Sequence, residues 1–412
     1  MIFVDTRSSS DYFHSLVDTR EISLIQQTTI ENLEQPNTRR FYRPELDSLR
    51  FFAFFGVFVF HVVPNDPQFY QAHPILPHFA VPLVCAVASA GAFGVDLFFA
   101  LSAYLITTLL IREEEIRGSI DTGAFYVRRI LRIWPLYFFF IGVAAVVPVW
   151  DRTQHLGWPF IAGYLLLSGN WVYVFLGLPH SIASPLWSVS IEEQFYLVWP
   201  LALRRLSRRQ LVFAVIGLLV LANMVRVFLV FSHVVGAAVE YNTLARIDAI
   251  AFGVLLAYFL GSEAPSLSLL SRAALAIACL GLWCMVASQT NLNAQTEVAP
   301  VMGTLLGRPL IALAAAGLLF AVIGAPAAGA RALTASWLTY LGRISYGLYV
   351  YHAAGLLLAW HLIRGNSVKI YAAYALTGFG LTVLFSALSY RWLESPFLKM
   401  KERFAIVRSR PV

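Results

Sequence analysis

Ten residues separate Arg50 from His61 within one apolar run. On a helix they would lie about 16 Å and about three turns apart, so both leave roughly the same face. A histidine in an apolar interior can act as general base toward a hydroxyl when a carboxylate orients it. Carboxylates occur in similar settings: Asp96 within Gly94-Val-Asp-Leu-Phe-Phe99, and Glu192 and Glu193 within Trp187-Ser-Val-Ser-Ile-Glu-Glu-Gln-Phe-Tyr196. Neighbouring helix residues point about 100° apart, so only one of that glutamate pair need face a bundle interior. Arg128, Arg129 and Arg132 form a basic cluster, and guanidinium groups hold phosphate oxygens bidentately. Arg246, Asp248, Arg343, Tyr346, His352 and Glu394 lie in or at the ends of further apolar runs. These residue types suit transfer of a group from a phosphate-bearing cytoplasmic donor to an acceptor hydroxyl. They suit a proton-coupled transporter equally, and spacing alone does not separate the two.

Each of these residues also has a plainer reading. A charge inside a bilayer is costly and marks function by default, yet Arg50 fits an interface anchor and His61 a hydrogen-bonded helix end. The arginine cluster fits a topology signal in contact with anionic lipid. Asp96, Arg246, Asp248, Arg343 and Glu394 fit helix-to-helix pairs that hold a pocket.

What would position these side chains is a membrane bundle. Of 412 residues, 58% are hydrophobic and 13% charged, whereas soluble domains are about a quarter charged. A net charge of +7 then reflects basic cytoplasmic loops rather than nucleic-acid binding. Three cysteines in apolar stretches, none in a CxxC pair, read as buried small hydrophobes and give neither metal site nor disulfide framework. Apolar runs near 46–63, 80–111, 131–149, 188–203, 211–231, 246–260, 272–288, 308–324, 343–361 and 370–391 approach the roughly 20 residues a span needs. The expectation is an all-α, polytopic integral membrane bundle of about ten transmembrane helices, with eleven as the lower-ranked count. Basic residues set its orientation. Arg39, Arg40 and Arg43 precede the first span, and the loop after the second carries five arginines. With 150–187 wholly outside as a re-entrant or interfacial segment, both termini fall on the cytoplasmic side. Residues 1–40 read as a polar cytoplasmic tail without a signal peptide, 41–400 as the membrane domain, and 401–412 as a short basic tail. The halves show no repeat, which weakens the commonest transporter architecture.

Seven motifs then occur in order. They are Arg43-Pro-Glu-Leu-Asp-Ser-Leu-Arg50 with His61, and Gly94-Val-Asp-Leu-Phe-Phe-Ala-Leu-Ser-Ala-Tyr-Leu-Ile106. Tyr126-Val-Arg-Arg-Ile-Leu-Arg-Ile-Trp-Pro135, the Trp187–Tyr196 segment and Arg246-Ile-Asp248 with Gly253 follow. Leu341-Gly-Arg-Ile-Ser-Tyr-Gly-Leu-Tyr-Val-Tyr-His352 and Arg391-Trp-Leu-Glu-Ser-Pro396 complete the set. Each is weak alone. As an ordered set over about 43–400 they strongly resemble the membrane-bound acyltransferase 3 family. Two departures stand out. Ser102-Ala103 replaces a common Ser-Gly, and Ser48-Leu-Arg-Phe51 replaces Gly-Leu-Arg-Gly, so close backbone approach is not expected there.

The resemblance implies an O-acyltransferase of the bacterial inner membrane. It implies acyl-CoA, acetyl-CoA above all, as co-substrate with no bound cofactor or metal, and a hydroxyl on a carbohydrate or glycosylated acceptor. Partners would be lipids and these two substrates, with no nucleic acid. On that template His61 is the general base, Glu192 the orienting carboxylate with Glu193 in reserve, and Arg50 a stabiliser of negative charge or a donor contact. Arg128, Arg129 and Arg132 would grip CoA phosphates. Tyr196, Tyr346 and His352 would support the site with the charged residues named above. Two other classes stay open: a transporter without transfer chemistry, and a non-catalytic sensor on the same fold.

Overall fold

The computed structural model describes residues 41–407, apart from 262, 291, 293–296, 326–330 and 364–367. The chain divides into a helical body, Arg43–Ala405, and a second unit of residues 1–42 with 406–411. The expected N-terminal tail, with Arg39 and Arg40, lies outside the described residues, as do Arg408 and Arg410 of the C-terminal tail.

Helices form throughout, and no strand occurs among the described residues. The apolar runs become α1 (Pro44–Val62), α2 (Val81–Arg117) and α3 (Thr122–Trp150). Two short helices follow, α4 (Trp158–Leu165) and α5 (Gly169–Leu176). Next come α6 (Trp187–Arg205), α7 (Arg208–Phe231), α8 (Asp248–Leu260) and α9 (Leu269–Gln289). The last are α10 (Gly303–Val322), α11 (Ser345–Leu362) and α12 (Ile370–Phe404). Local chemistry sets several boundaries. The Asp121 carboxylate accepts from the Ala124 N–H at 2.9 Å and caps α3. Ser207 and Gln210 form a capping box at the start of α7. Gly118, at φ 73°, ends α2 in the left-handed conformation that a Cβ disfavours.

Among the described residues, six helices (α2, α3, α7, α9, α10 and α12) are long and apolar enough to cross a membrane. The other four expected spans are helical but fall short. Helix α8 has 13 residues. Helix α1 carries Glu45, Asp47 and Arg50; α6 carries Glu192, Glu193, Arg204 and Arg205; α11 carries His352, His361 and three tyrosines. Helices α4 and α5 have eight residues each, about 12 Å of rise against about 30 Å of hydrocarbon.

Small residues seat α1 against its neighbours. A Cβ added at Gly91 would lie 2.2 Å from the Gly56 carbonyl oxygen, and one at Gly94 would lie 2.2 Å from that of Ala53. Such contacts bring backbones together where apolar burial gives no drive between helices. Close approach also occurs beside Ser48. A Cβ at Gly342, in the short helix Ser336–Arg343, would stand 2.0 Å from the Asp47 carbonyl oxygen. The glycine missing from α1 is thus supplied from the opposite side of the contact. Arg272 of α9 donates to the carbonyls of Ala321 and Ile323 at 2.9 and 2.8 Å, satisfying the C-terminal end of α10.

Candidate active site

A cavity of about 100 Å³ opens at the C-terminal end of α1, where His61 lies. His352 of α11 and Glu240, from the segment between α7 and α8, also line it. The Nδ1 of His61 is 2.8 Å from the Val57 carbonyl oxygen, one turn back on α1. A carbonyl only accepts, so in the neutral ring the proton sits on Nδ1 and the Nε2 lone pair is free. His352 repeats the arrangement. Its Nδ1 is 2.6 Å from the Tyr349 carbonyl oxygen, and its Nε2 is buried without a hydrogen-bond partner. The two imidazole centroids lie 5.0 Å apart in an edge-on arrangement.

Glu192 does not line this cavity. It sits deeper along α6, hydrogen-bonded to Ser102 and Tyr196 and in the field of Arg129 and Arg132. The carboxylate that shares the cavity with His61 is Glu240, which no motif marks. Glu193 accepts from the Trp134 indole N–H at 3.0 Å, so the two adjacent glutamates do face different neighbours. Ser188, Glu192 and Tyr196, spaced by four, form one stripe along α6. At the cavity end the Ser188 hydroxyl lies 2.7 Å from that of Tyr349. At the far end the Arg129 guanidinium stands 5.6 Å over the Tyr196 ring. The stripe leads from the arginine cluster toward the two histidines.

The arginines differ among themselves. Arg128 donates to Glu113 and to the Phe404 carbonyl, both at 2.8 Å, and is committed to the fold. Arg129 and Arg132 have no ion-pair partner among the described residues. Arg50 pairs with Asp47 at 3.3 Å, at the opposite end of α1 from His61. Tyr346 donates to the Ile133 carbonyl at 3.1 Å. The buried Glu394 accepts from Ser389 at 3.2 Å. Arg343 lies at the end of its short helix with its Nε buried and unpartnered.

Around the cavity the charges pair across helices. Arg246 reaches Asp96 at 3.2 Å and Glu240 at 3.5 Å. Arg308 of α10 binds the other oxygen of Glu240. Arg226 of α7, fully buried, binds both oxygens of Asp248. Removing one member of a buried pair costs about 3–5 kcal/mol, because the other charge is left uncompensated. Three carboxylates and three guanidiniums therefore brace α2, α7, α8 and α10 around the site. Arg226, Arg308 and Glu240 escaped sequence reasoning, since each is an isolated charge outside any motif.

Comparison with known proteins agrees with this reading of the helices. Residues 43–391 match the acyltransferase domain model of the acyltransferase 3 family. The chain belongs to that family and is an integral membrane protein. It is similar to the peptidoglycan O-acetyltransferase OatA of Listeria monocytogenes, with 27% identity over 382 residues, covering 87% of this chain and 56% of that protein. A Staphylococcus aureus (strain MSSA476) protein named "Putative O-acetyltransferase" is 26% identical over 390 residues, covering 87% of this chain and 58% of its own length. A Bacillus subtilis (strain 168) protein named "Putative peptidoglycan O-acetyltransferase YrhL" is 28% identical over 390 residues, covering 86% and 55%. The chain thus spans less than two thirds of the length of these relatives. No solved structure matches it.

Proposed function

We propose that this protein is a membrane O-acyltransferase that moves an acyl group, acetyl in the first instance, from a cytoplasmic acyl-CoA to a hydroxyl of a carbohydrate acceptor. The observation that carries this reading is the His61 imidazole. Its Nδ1–H is tied to its own helix, which leaves Nε2 as the free nitrogen of a ring that lines the cavity. Nε2 takes the proton of the acceptor hydroxyl as that oxygen attacks the thioester carbonyl. The C–S bond breaks, and the proton passes from the imidazolium to the departing thiolate, leaving free CoA and a neutral histidine. Arg129 and Arg132 hold the donor phosphates, and the stripe of Tyr196, Glu192 and Ser188 gives the thioester arm a polar path to the cavity. With both termini cytoplasmic, the arginines fall on the inner side and His61 toward the outer one, so donor and acceptor meet from opposite sides. Relatives named for peptidoglycan O-acetylation support a cell-envelope glycan as acceptor.

The test is free-CoA release by purified protein in nanodiscs supplied with acetyl-CoA and a glycan acceptor. Release that depends on acceptor and is lost in His61→Ala is expected. Equal release by His61→Ala would remove the general-base assignment. A transporter would move acyl groups or glycolipid without consuming thioester.

A further inference from the structure

We infer that His352 and Glu240 form a second hydroxyl-binding subsite beside His61, so that the cavity takes two neighbouring hydroxyls of one sugar ring rather than a lone alcohol. This inference rests on the acyl-transfer reading for the role of His61, but the subsite itself is a binding property.

Hydrogen-bond inventory carries it. His352 is fully buried, its Nδ1 is engaged by the Tyr349 carbonyl, and its Nε2 has no partner. An orphaned buried acceptor is costly, and a ligand O–H removes that cost. His61, a more exposed ring whose centroid lies 5.0 Å away and whose Nδ1 is engaged by the Val57 carbonyl, offers its Nε2 as a second acceptor. Glu240 is the third. Its Oε1 faces Arg246 at 3.5 Å and its Oε2 is bound by Arg308, which fixes the carboxylate. Each oxygen still keeps a lone pair for the cavity. Three fixed acceptors in one small space call for a ligand with several O–H donors set close together. Trp187 and Tyr241, with ring centroids 5.0 Å apart, complete the wall. They offer apolar faces to the C–H side of a pyranose while its hydroxyls meet the acceptors. A simple alcohol would satisfy His61 and leave His352 unpaired.

Binding and turnover are to be measured separately on the full chain in nanodiscs. The probes are methyl glycosides of glucose, galactose and N-acetylglucosamine, their monodeoxy analogues, and cyclohexanol as a ring with one hydroxyl. Dissociation constants come from saturation-transfer NMR titrations. At least one glycoside should bind, and removing either of two adjacent hydroxyls should weaken it about tenfold or more. His352→Phe, which keeps the ring but loses the acceptor, should weaken the parent glycoside to the same degree. It should also stop distinguishing one deoxy analogue. His352→Gln, which restores an acceptor, should recover part of the loss. Glu240→Gln should reduce discrimination at the other hydroxyl, and serves as the test should His352→Phe fail to fold. His61→Ala should stop CoA release and weaken the parent glycoside by about as much as loss of the hydroxyl it accepts, so that it no longer distinguishes that deoxy analogue. Glycosides binding no tighter than cyclohexanol, or full discrimination retained in both His352→Phe and Glu240→Gln, would overturn the subsite. Discriminating binding without thioester consumption would instead sink the acyl-transfer reading and leave the subsite standing.

Discussion

Replacing Gly91 by alanine adds one methyl group where α1 and α2 touch. That carbon would lie 2.2 Å from the Gly56 carbonyl oxygen and 3.2 Å from the Phe60 backbone nitrogen, whereas ordinary contact begins at 3.4 Å. Both atoms are backbone, so no side chain can swing away, and the helices must part by about 1 Å. Phe60 immediately precedes His61, which places the displacement at the imidazole. A shift of about 1 Å at a reacting group costs on the order of 100-fold in rate, equivalent to about 2.7 kcal/mol of activation free energy. Intrinsic preference runs the other way, since alanine favours helix over glycine by about 1 kcal/mol. Any loss of rate therefore reports the contact and not a weakened helix. The assay is the initial rate of CoA release in nanodiscs, with monodispersity on size exclusion as the control for folding. Gly142→Ala and Gly217→Ala, where an added Cβ meets nothing within 4 Å, should keep wild-type rates. If Gly91→Ala works within twofold of wild type, the close seat of α1 does not set the position of His61.

Other consequences follow from the same packing and charge pattern. Asp248→Asn leaves the fully buried Arg226 uncompensated and should destabilise the protein by about 3–5 kcal/mol, seen as a lower thermal midpoint in detergent. The double change Asp248→Leu with Arg226→Met should restore most of that loss; no recovery would mean the pair is not the source. Arg129→Ala and Arg132→Ala should each raise the KM for acetyl-CoA about tenfold with a smaller change in kcat, the pattern of lost donor binding. Arg128→Ala should instead lower stability, because it strands the buried Glu113; a selective rise in donor KM there would contradict its structural assignment. Glu192→Gln should alter kcat/KM for the donor and leave acceptor binding untouched, and a weakened glycoside affinity would return Glu192 to the acceptor side.

Much of the architecture was legible from periodicity and charge. Each of the ten apolar runs is a helix, and the ordered motifs placed the chain in its family. The number of crossings was not, because three of the helices that carry the site are interrupted by charged, histidine or tyrosine side chains and the fourth, α8, is apolar but only 13 residues long. The relation of His61 to a carboxylate also escaped sequence. Motifs point along the chain, whereas Glu240 reaches the cavity from a segment with no marked pattern, held there by Arg308 from a helix about 70 residues away. The stripe Ser188, Glu192, Tyr196 was readable in principle from its spacing of four. Reading it would have placed Glu192 on a line toward Arg129 and Tyr196 rather than beside His61. The difference between Arg128 and its neighbours depends on where Glu113 and Phe404 fall in space, which spacing does not encode.

The division between apolar and polar helices has a physical basis. Helices α1, α6, α8 and α11 carry His61, Ser188 with Glu192, Asp248, and Tyr349 with His352, and none qualifies as a span on length and apolarity. Polar groups at membrane depth are tolerated where protein surrounds them or water reaches them. Among the described residues, α7 and α9 bury only 22% of their most apolar windows within the protein and so turn most of that surface toward lipid. Helix α2, at 61%, lies at the centre and contributes Asp96 to the charge network. The lipid-facing helices let the polar ones remain polar, and Arg226 shows how. It lies on lipid-facing α7, yet its guanidinium turns inward to bind Asp248 of α8 and the Ala245 carbonyl. A charge on the outer shell thus fixes the short helix that follows Arg246, which in turn holds Glu240 at the cavity. Disturbing α7 should therefore reach the site through Asp248 and Arg246, even though none of its own side chains lines the cavity.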